Sequence, residues 1–397
     1  MRETACSGSS QKPSAKTFCC MSRENLLMVA DTENDADMLY AVGMFVPDPF
    51  IYLRANGRPT IVLSDLEIDR ARQAAPHCRV VSLTRIQDRL RKAGAKKTGL
   101  PQAIRHLLAT HRIKRVHVPD QFPFGLARQL RDLKVRVKPA GSLVFPERQL
   151  KSAAEVKKIS AALMMAEVGL AEGLHALKNS RIDRKRRLVY HNNPLTSEKL
   201  RAIIDTAIIQ AGGLPRHTIV AGGRQACDPH ERGSGILRAH ETIVIDVFPR
   251  SQKTGYFGDI TRTVVRGRAS DAIRKLYDTV GRGQAVAFKS LRDGARAKEV
   301  HARILEFFER EGFKTGRKNR RMHGFFHGTG HGVGLELHEG PRIGPVSKDI
   351  LRSGQVVTVE PGLYYRELGG GVRLEDLALI TANGPRNLTK FEKVLEV

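Results

Sequence analysis

Hydrophobic and polar positions alternate along the first third of the chain in a pattern that predicts strands and helices in turn. Short β-rich runs alternate with basic amphipathic stretches such as residues 99–113, and the runs are MFVPDPFIYL, PTIVLS, RVVSL, RVHVP and VRVKP. This alternation is typical of a mostly parallel or mixed sheet with helices on its faces. We therefore expect an α/β domain over residues 22–148. Residues 1–21 have no apolar stretch and are interpreted as a disordered leader, at the end of which Met21 could be the true start.

A change to helical periodicity marks a second domain, predicted over residues 149–397. Pro146 and its polar flank form the linker, and Ser152 with Glu155 makes an S-x-x-E capping box. A long helix should follow, because apolar residues recur at helical spacing: Val156, Ile159, Leu163 and Ala166. A second helix is predicted over about 197–211, with five residues facing inward: Leu200, Ile203, Ile204, Ala207 and Ile208.

Beyond Gly213 the pattern becomes rich in strands. The runs are HTIVAGG, ETIVIDVF, TRTVVRG, QVVTVEPGLYY and GVRLEDLALIT, and helices are predicted near 270–291 and 296–311. The basic segment 179–196, which precedes the second helix, is interpreted as an irregular surface loop. The fold class predicted for the whole chain is therefore α/β, with an α+β character in its second part.

Composition fits a globular protein of two ordinary domains, since 41% of the 397 residues are hydrophobic and 27% are charged. No apolar run approaches the roughly 18–20 residues needed to cross a bilayer, and no secretory signal is evident. A cytoplasmic protein with no membrane association is expected. The five cysteines show no spacing typical of a structural zinc site.

The net charge is +26, a value that suits binding of nucleic acid, acidic membrane surfaces or acidic partners. The basic residues are nevertheless spread over the chain. The two densest clusters are RIDRKRRL at 181–188 and KTGRKNRRMH at 314–323, and neither contains the interleaved aromatic residues that single-strand binding uses. We therefore expect a solvated basic surface and no specific nucleic-acid partner.

Five residues in the second region carry the candidate chemistry. They lie in the motifs IDVFPR, GYFGDITRT, HGTGHGVG, VTVEPG and GVRLED: Asp246, Asp259, His331, Glu360 and Glu375. Four carboxylates and one imidazole suit two divalent ions such as Mn²⁺, Co²⁺ or Zn²⁺. Because paired metals activate a bridging water, the pattern predicts a metal-dependent hydrolase.

The local context of these residues supports a shared site. Asp246 ends one predicted strand and Asp259 opens the next, so the two could face each other across a hairpin. Glycines around His331 let the backbone pass close to a bulky neighbour. Glu360 follows an apolar strand, and Glu375 is predicted inside a strand in which its neighbours Val372 and Leu374 are apolar, so an ionised carboxylate at either position needs a partner.

With these motifs, roughly residues 150–397 resemble the pita-bread metallopeptidases, which include methionine aminopeptidases, Xaa-Pro aminopeptidases and Xaa-Pro dipeptidases (prolidases). The resemblance implies a creatinase-like N-terminal α/β domain followed by a pita-bread catalytic domain, and a homodimer. It also implies that two divalent ions, with Mn²⁺ as the first choice, are bound by five residues: Asp246, Asp259, His331, Glu360 and Glu375.

The resemblance assigns further roles. Glu360 would also shuttle a proton, and His338 and His230 would stabilise the tetrahedral intermediate as catalytic residues. His327 and Arg373 would bind substrate, and Arg373 is typical of the Xaa-Pro branch. The implied activity is hydrolysis, by a metal-bridged hydroxide, of the bond before proline in short peptides. No motif in residues 22–145 separates an Xaa-Pro aminopeptidase from an Xaa-Pro dipeptidase.

Two features depart from the family pattern. Asp246 and Asp259 are thirteen residues apart, a wider spacing than is usual, which predicts a longer hairpin that keeps both ligands. Phe248 lies where a small residue is often found and could reshape the pocket wall. The main alternative is a catalytically inactive pita-bread module that binds protein or nucleic acid. A metal-free creatinase-like enzyme and a methionine aminopeptidase are the others.

Overall fold

The computed structural model describes residues 25–55, 57–141 and 144–397, so the predicted leader at 1–21 lies outside the described residues. The chain divides into two compact units, of which the first ends at Pro146 and the second begins at Glu147. Within the described part of the chain, none of the helices has both the length and the apolar character that a membrane span requires.

The first unit is built on a six-stranded mixed sheet with the order β4-β3-β2-β1-β5-β6. Its strands are β1 Leu26–Ala30, β2 Phe50–Arg54, β3 Thr60–Leu63, β4 Arg79–Ser82, β5 Arg115–Val118 and β6 Arg136–Pro139. Its helices are α1 Ala36–Val42, α2 Ile68–Ala74, α3 Leu83–Lys92, α4 Leu100–Thr110 and α5 Phe124–Asp132. Strand β2 is antiparallel to both β1 and β3, whereas the pairs β1–β5, β3–β4 and β5–β6 are parallel.

Alternating residues of this sheet pack into two separate cores. Leu27 and Val29 lie in one core, with residues of α3, α4 and α5, while Leu26 and Met28 lie in the other, with residues of α1 and α2. The predicted mixed sheet with helices on its faces is therefore confirmed. The prediction was wrong in detail for MFVPDPFIYL, of which only the last part forms β2, and it did not include β1.

The helices of the second unit lie where the sequence predicts them. They are α6 Ala153–Lys178, α7 Ser197–Gln210, α8 Asp271–Ser290 and α9 Ala297–Arg310. The capping box at the start of α6 is complete, because the side chains of Ser152 and Glu155 each bond the other's backbone N–H. The inward orientation predicted for Ile203 is wrong, since this residue of α7 is only half-buried.

The strands of the second unit are short and antiparallel. They are β7 Arg181–Ile182, β8 Leu188–Tyr190, β9 Asn193–Pro194, β10 Gly213–Leu214, β11 Ile219–Gly222, β12 Thr242–Val247, β13 Arg250–Ser251, β14 Ile260–Val265, β15 Gly316–Lys318, β16 Arg321–His323, β17 Gly330–Gly332, β18 Glu339–Ile343, β19 Val356–Val359, β20 Gly362–Tyr365, β21 Gly370–Arg373, β22 Asp376–Thr381 and β23 Gly384–Asn387. The larger sheets have the orders β11-β12-β14 and β18-β17-β19-β22-β23, and β20 pairs with β21.

Two sequence interpretations of this unit need correction. Segment 179–196 is not an irregular loop, because it forms the small sheet β7-β8-β9. Glu375 does not lie inside a strand, because the run GVRLEDLALIT is broken there into β21 and β22. The run QVVTVEPGLYY is likewise divided, at Glu360, into β19 and β20. Both glutamates thus lie at strand ends, where the backbone is free to turn the side chain toward a common centre.

Candidate active site

The two aspartates lie on neighbouring strands of the sheet β11-β12-β14. Asp246 is in β12 and pairs in register with Thr261 of β14, and Asp259 directly precedes β14. The longer connection between them contains the short strand β13. A Cβ at Gly258 would lie 2.4 Å from the backbone of Ala162 in α6, so a glycine is required where the chain passes the helix and reaches Asp259.

Close packing of the backbone around β17 fixes the position of His331. A Cβ at Gly330 would lie 2.0 Å from the carbonyl oxygen of Thr358, and one at Gly332 would lie 2.1 Å from that of Gly340. The glycines therefore allow close approach of the neighbouring strands, as their pattern predicts. The ring N–H at Nδ1 of His331 donates to the carbonyl oxygen of Gly332 at 3.2 Å. This bond fixes the orientation of the ring and would leave Nε2 as the bare nitrogen once a metal ion is bound, which is the form that ligates metals.

The carboxylates converge on this nitrogen. Nε2 of His331 lies 3.3 Å from Oε1 of Glu360 and 3.8 Å from Oδ2 of Asp259. One ligand atom each from Asp259, His331 and Glu375 lie within 4.8 Å of one another, and all three residues are buried. The structure thus brings together the residues that the motifs single out.

Two threonine hydroxyls orient the carboxylates. Thr261 Oγ1 donates to Oε2 of Glu375 at 2.7 Å, and Thr358 Oγ1 donates to Oε1 of Glu360 at 3.1 Å. Thr358 Oγ1 also accepts the backbone N–H of His331 at 3.0 Å. A single hydroxyl therefore joins the imidazole-bearing strand to one of the carboxylates.

Electrostatics of the cluster favour an added cation. Burial, followed by repulsion from neighbouring carboxylates, raises the pKa of Asp259 and Glu375 well above their usual values. Burial also raises the pKa of Asp246, although Arg373 opposes it. Burial would raise the pKa of Glu360 as well, but the hydrogen bond and charge of His331 prevail and lower it to about 2. A bound divalent ion would reverse the repulsion and hold all the carboxylates ionised.

One structural observation indicates that this set of donors suits divalent metal ions. Oδ2 of Asp246 accepts a hydrogen bond from Nη2 of Arg373 at 2.7 Å, but Oδ1 is buried and has no hydrogen-bond partner among the described residues. A buried carboxylate oxygen without a partner is costly. Ligation of a metal by Oδ1 would remove that cost.

Arg373 connects Asp246 to a second group of polar side chains. Its Nη1 donates to the hydroxyl of Tyr364 at 3.2 Å. Nδ1 of His327 donates to the carbonyl oxygen of Gly328 at 2.7 Å, so Nε2 of His327 accepts the hydroxyl proton of Tyr364 at 2.8 Å. Burial lowers the pKa of His327 to about 4, which is consistent with a neutral ring that accepts.

A cavity of ≈ 610 Å³ opens onto the cluster. His230, His327, His338 and Arg373 line it, together with the predicted ligands and Phe248. The rings of His331 and His338 meet edge to face, with centroids 4.3 Å apart. Burial, and then the charge of His331, lowers the pKa of His338 to about 4. Each predicted site residue thus lies at this one cavity.

Several residues that support the site were not singled out in the sequence. Tyr364, Thr261 and Thr358 act through hydrogen bonds to residues distant in the chain, which no local motif reveals. Arg342 also lines the cavity, four residues after His338, with its Nη2 3.5 Å from the carbonyl oxygen of His338. Its position close to a predicted catalytic histidine was the one sequence feature that could have identified Arg342 as a residue of the site.

Comparison with known proteins places this geometry in a family. Two relatives are named Xaa-Pro dipeptidase: that of Pyrococcus furiosus is 38% identical over 45% of this chain and 48% of its own length, and that of Pyrococcus horikoshii is 29% identical over 71% and 75%. The chain therefore spans about half the length of the first and three quarters of the second.

A solved structure shares the fold over most of the chain. The X-Pro aminopeptidase of Thermotoga maritima has a TM-score of 0.78 at 22% identity, covering 94% of this chain and 98% of its own. The predicted arrangement of an N-terminal domain before a pita-bread domain is thereby confirmed. Residues 157–382, more than half of the chain, match the metallopeptidase family M24. The chain therefore belongs to metallopeptidase family M24, as its motifs predict.

Proposed function

We propose that this chain is a metal-dependent Xaa-Pro peptidase that hydrolyses the bond before proline in short peptides. The observation that carries the proposal is the buried cluster of four carboxylates around His331, in which Asp246 leaves one oxygen without a hydrogen bond among the described residues. The names of the two Pyrococcus relatives support proline-containing substrates.

Five residues would hold two divalent ions, with Mn²⁺ as the first choice. Asp246, Asp259, Glu360 and Glu375 would supply carboxylate ligands, and His331 would supply a nitrogen ligand. When bound, the ions supply an activated water and positive charge for the developing oxyanion. Thr261 and Thr358 fix the orientation of Glu375 and Glu360, an arrangement that commonly supports ligand geometry.

The protein side chains perform the proton transfers and bind the substrate. Glu360 accepts a proton from the attacking water and delivers it to the leaving nitrogen, a role typically worth about 10²–10⁴ in rate. His338 and His230, which both line the cavity, donate to the oxyanion. Tyr364 and Arg373 hold His327 and Asp246 in place.

Apolar lining suits a proline ring. Phe248, Phe326 and Ile219 line the cavity beside the polar groups. The nitrogen of the bond before proline belongs to the proline ring and carries no N–H, so a pocket for this ring needs apolar contact and no acceptor. Phe248 is therefore a candidate wall of the proline pocket.

Arg342 favours a dipeptidase over an aminopeptidase. Of the two arginines at the cavity, Arg373 is held by Asp246 and Tyr364, whereas no ion pair among the described residues includes Arg342. A guanidinium binds a carboxylate well, through two parallel hydrogen bonds. We propose that Arg342 binds the free C-terminal carboxylate of a substrate such as Gly-Pro.

The first test is hydrolysis of Gly-Pro, Gly-Pro-Pro and Met-Ala-Ser by purified Mn²⁺-loaded protein, with an EDTA control. EDTA-sensitive cleavage before proline, fastest for Gly-Pro, is expected. Preference for Gly-Pro-Pro would favour the aminopeptidase. Absence of turnover in a protein that binds no metal would overturn the proposal in favour of a binding module.

The role of Arg342 has its own test. Arg342→Gln should raise KM for Gly-Pro about tenfold, the loss expected for one charge-assisted contact. Gly-Pro amide lacks the carboxylate and serves as the matched substrate, for which wild type and variant should give the same KM. Equal losses on both substrates would contradict the carboxylate role without contradicting the peptidase activity.

A further inference from the structure

The basic hairpin β15–β16 borders a pocket that the peptidase chemistry does not use. The pocket has a volume of ≈ 410 Å³ and is lined by the hairpin, by the turn after β11 and by the residues after β20. Four cationic side chains and one carboxylate line it, with a net charge of +3: Arg224, Lys318, Arg321, Arg366 and Glu367. This set is named the Arg224 pocket.

Most of the positive charge in the Arg224 pocket is uncompensated. Lys318 pairs with Glu367, with Nζ 3.1 Å from Oε1. Across the described ranges, Arg224, Arg321 and Arg366 enter no ion pair, and their side chains donate no hydrogen bond. Three guanidinium groups around one concavity repel one another, and an anion bound between them would remove that repulsion.

Paired strands hold Arg321 and Arg366 near each other. Gly324, which follows β16, exchanges two backbone hydrogen bonds with Tyr364 of β20, at 3.1 and 3.3 Å. Arg321 lies in β16 and Arg366 follows β20 directly. The two side chains thus sit on elements joined by a bridge, so their spacing is largely set before any ligand arrives.

The second basic cluster of the chain, at 181–188, has a different arrangement. There Arg187 donates from Nε to Oδ2 of Asp183 at 2.6 Å. Arg181, Arg184 and Lys185 are exposed, and none of them lines the Arg224 pocket. This cluster therefore offers an internal control that has similar charge without the concavity.

We propose that the Arg224 pocket is a binding site for a compact, multiply charged phosphate anion, of which inorganic triphosphate is the simplest example. The planar donors of arginine match phosphate oxygens, often through two parallel hydrogen bonds. A pocket of this volume suits a small ligand. The site is separate from the carboxylate cluster and does not depend on the peptidase activity.

Isothermal titration of the full-length protein with inorganic triphosphate, at about 0.15 M salt, tests the proposal. Wild-type protein should bind one triphosphate per chain. The triple variant Arg224→Gln, Arg321→Gln, Arg366→Gln should lose about tenfold or more in affinity, because it removes three charge-assisted contacts. The matched control Arg181→Gln, Arg184→Gln, Lys185→Gln loses the same charge and should change affinity less than about twofold.

Two results would overturn the proposal. Equal loss of affinity for triphosphate in the pocket variant and the control would show that binding follows the net charge alone. Absence of 1:1 binding by the wild-type protein would show that the site does not exist. If the triple variant does not fold, Arg321→Gln alone provides the test, because Arg321 is an exposed residue of the hairpin. That variant should weaken binding several-fold, and unchanged affinity would contradict the site.

Discussion

Two clusters of buried charge share strand β14 and the β21–β22 region of the second unit, and they differ in charge balance. The cavity cluster consists of Asp246, Asp259, Glu360 and Glu375 with His331 and Arg373. The Arg262 cluster consists of Arg262, Asp376 and Lys393. Consecutive residues of a strand point to opposite faces, so Thr261 bonds Glu375 in the first cluster while Arg262 bonds Asp376 in the second.

The Arg262 cluster is complete within the protein. Nη2 of Arg262 donates to Oδ1 of Asp376 at 2.9 Å, and other donors reach the carbonyl oxygens of Glu375, Phe391 and Glu392. Arg262 and Asp376 are both 1% exposed. In the cavity cluster, by contrast, carboxylates outnumber cations. Residues of the protein itself thus balance the buried carboxylate of the Arg262 cluster, whereas the cavity cluster carries an excess of carboxylate charge that bound cations would balance.

The largest expected effect comes from removing the imidazole of the cavity cluster. His331→Ala should lower the rate of Gly-Pro hydrolysis about 10³-fold or more, because it removes a predicted metal ligand. Asp259→Ala should behave in the same way. Metal content by elemental analysis should fall with the rate, while circular dichroism of the metal-free variants should match wild type. An active, metal-poor variant would contradict the ligand assignment.

The same isosteric change in the two clusters gives the sharpest comparison. Asp376→Asn should cost about 3–5 kcal/mol of unfolding free energy, because it leaves Arg262 buried without a counter-charge. Asp259→Asn should cost nothing in metal-free protein, because it relieves repulsion among carboxylates. Urea denaturation in EDTA measures both. Similar destabilisation by the two variants would show that the cavity cluster is as balanced as the other.

The cavity cluster could be predicted from sequence and the Arg262 cluster could not, because the two clusters differ in the range of the contacts that define them. The five predicted ligands occur in short motifs with an unusual density of glycine and acidic residues, so each could be singled out locally. Arg262 lies inside one of those motifs, but its partners Asp376 and Phe391 are more than a hundred residues away. No periodicity connects them, and the cluster was not predicted.

The prediction of strand boundaries was limited in the same way, because it also depends on pairing between distant residues. The run GVRLEDLALIT looks continuous because it contains apolar residues both before and after Glu375 and Asp376, and only the pairing of β21 with β20 and of β22 with β19 breaks it. Strand β1 was missed because LLMVA is short, and its identity depends on the pairing with β2. The strands β7–β9 are two or three residues long, too short for an alternating pattern.

The pH dependence of stability should differ between metal-free and metal-loaded protein. Burial and then neighbouring carboxylates raise the pKa of Asp259 and Glu375 well above the unfolded values of about 4. The folded state therefore holds protons that the unfolded state has released, so these two carboxyl groups lower the stability of the metal-free protein as pH rises above about 4. Glu360, with its pKa lowered to about 2, acts in the opposite direction only below about pH 4.5. His327 and His338, with pKa values lowered to about 4, oppose the decline up to about pH 6.5.

Thermal unfolding from about pH 6.5 to 8, with EDTA or with Mn²⁺, measures the effect of the carboxylates, because the histidines with lowered pKa values titrate below this range. Metal binding requires ionised carboxylates, so the gain in Tm from Mn²⁺ should grow with pH. Asp259→Asn should flatten the decline seen in EDTA, because it removes one of the titrating groups. A metal-free Tm that rises steadily over this range would contradict the excess of buried carboxylate charge.

The smallest expected effect lies at the rim of the Arg262 cluster. Lys393 donates to Oδ2 of Asp376, but its side chain is 32% exposed, against 1% for Asp376. Exposed ion pairs contribute about 0–1 kcal/mol, and Asp376 keeps Arg262 and Asn387 as partners without Lys393. Lys393→Gln should therefore cost less than about 1 kcal/mol in the same urea measurement. A cost close to that of Asp376→Asn would mean that Arg262 alone does not balance the charge of Asp376. The stability of the Arg262 cluster would then depend on the partly exposed Lys393.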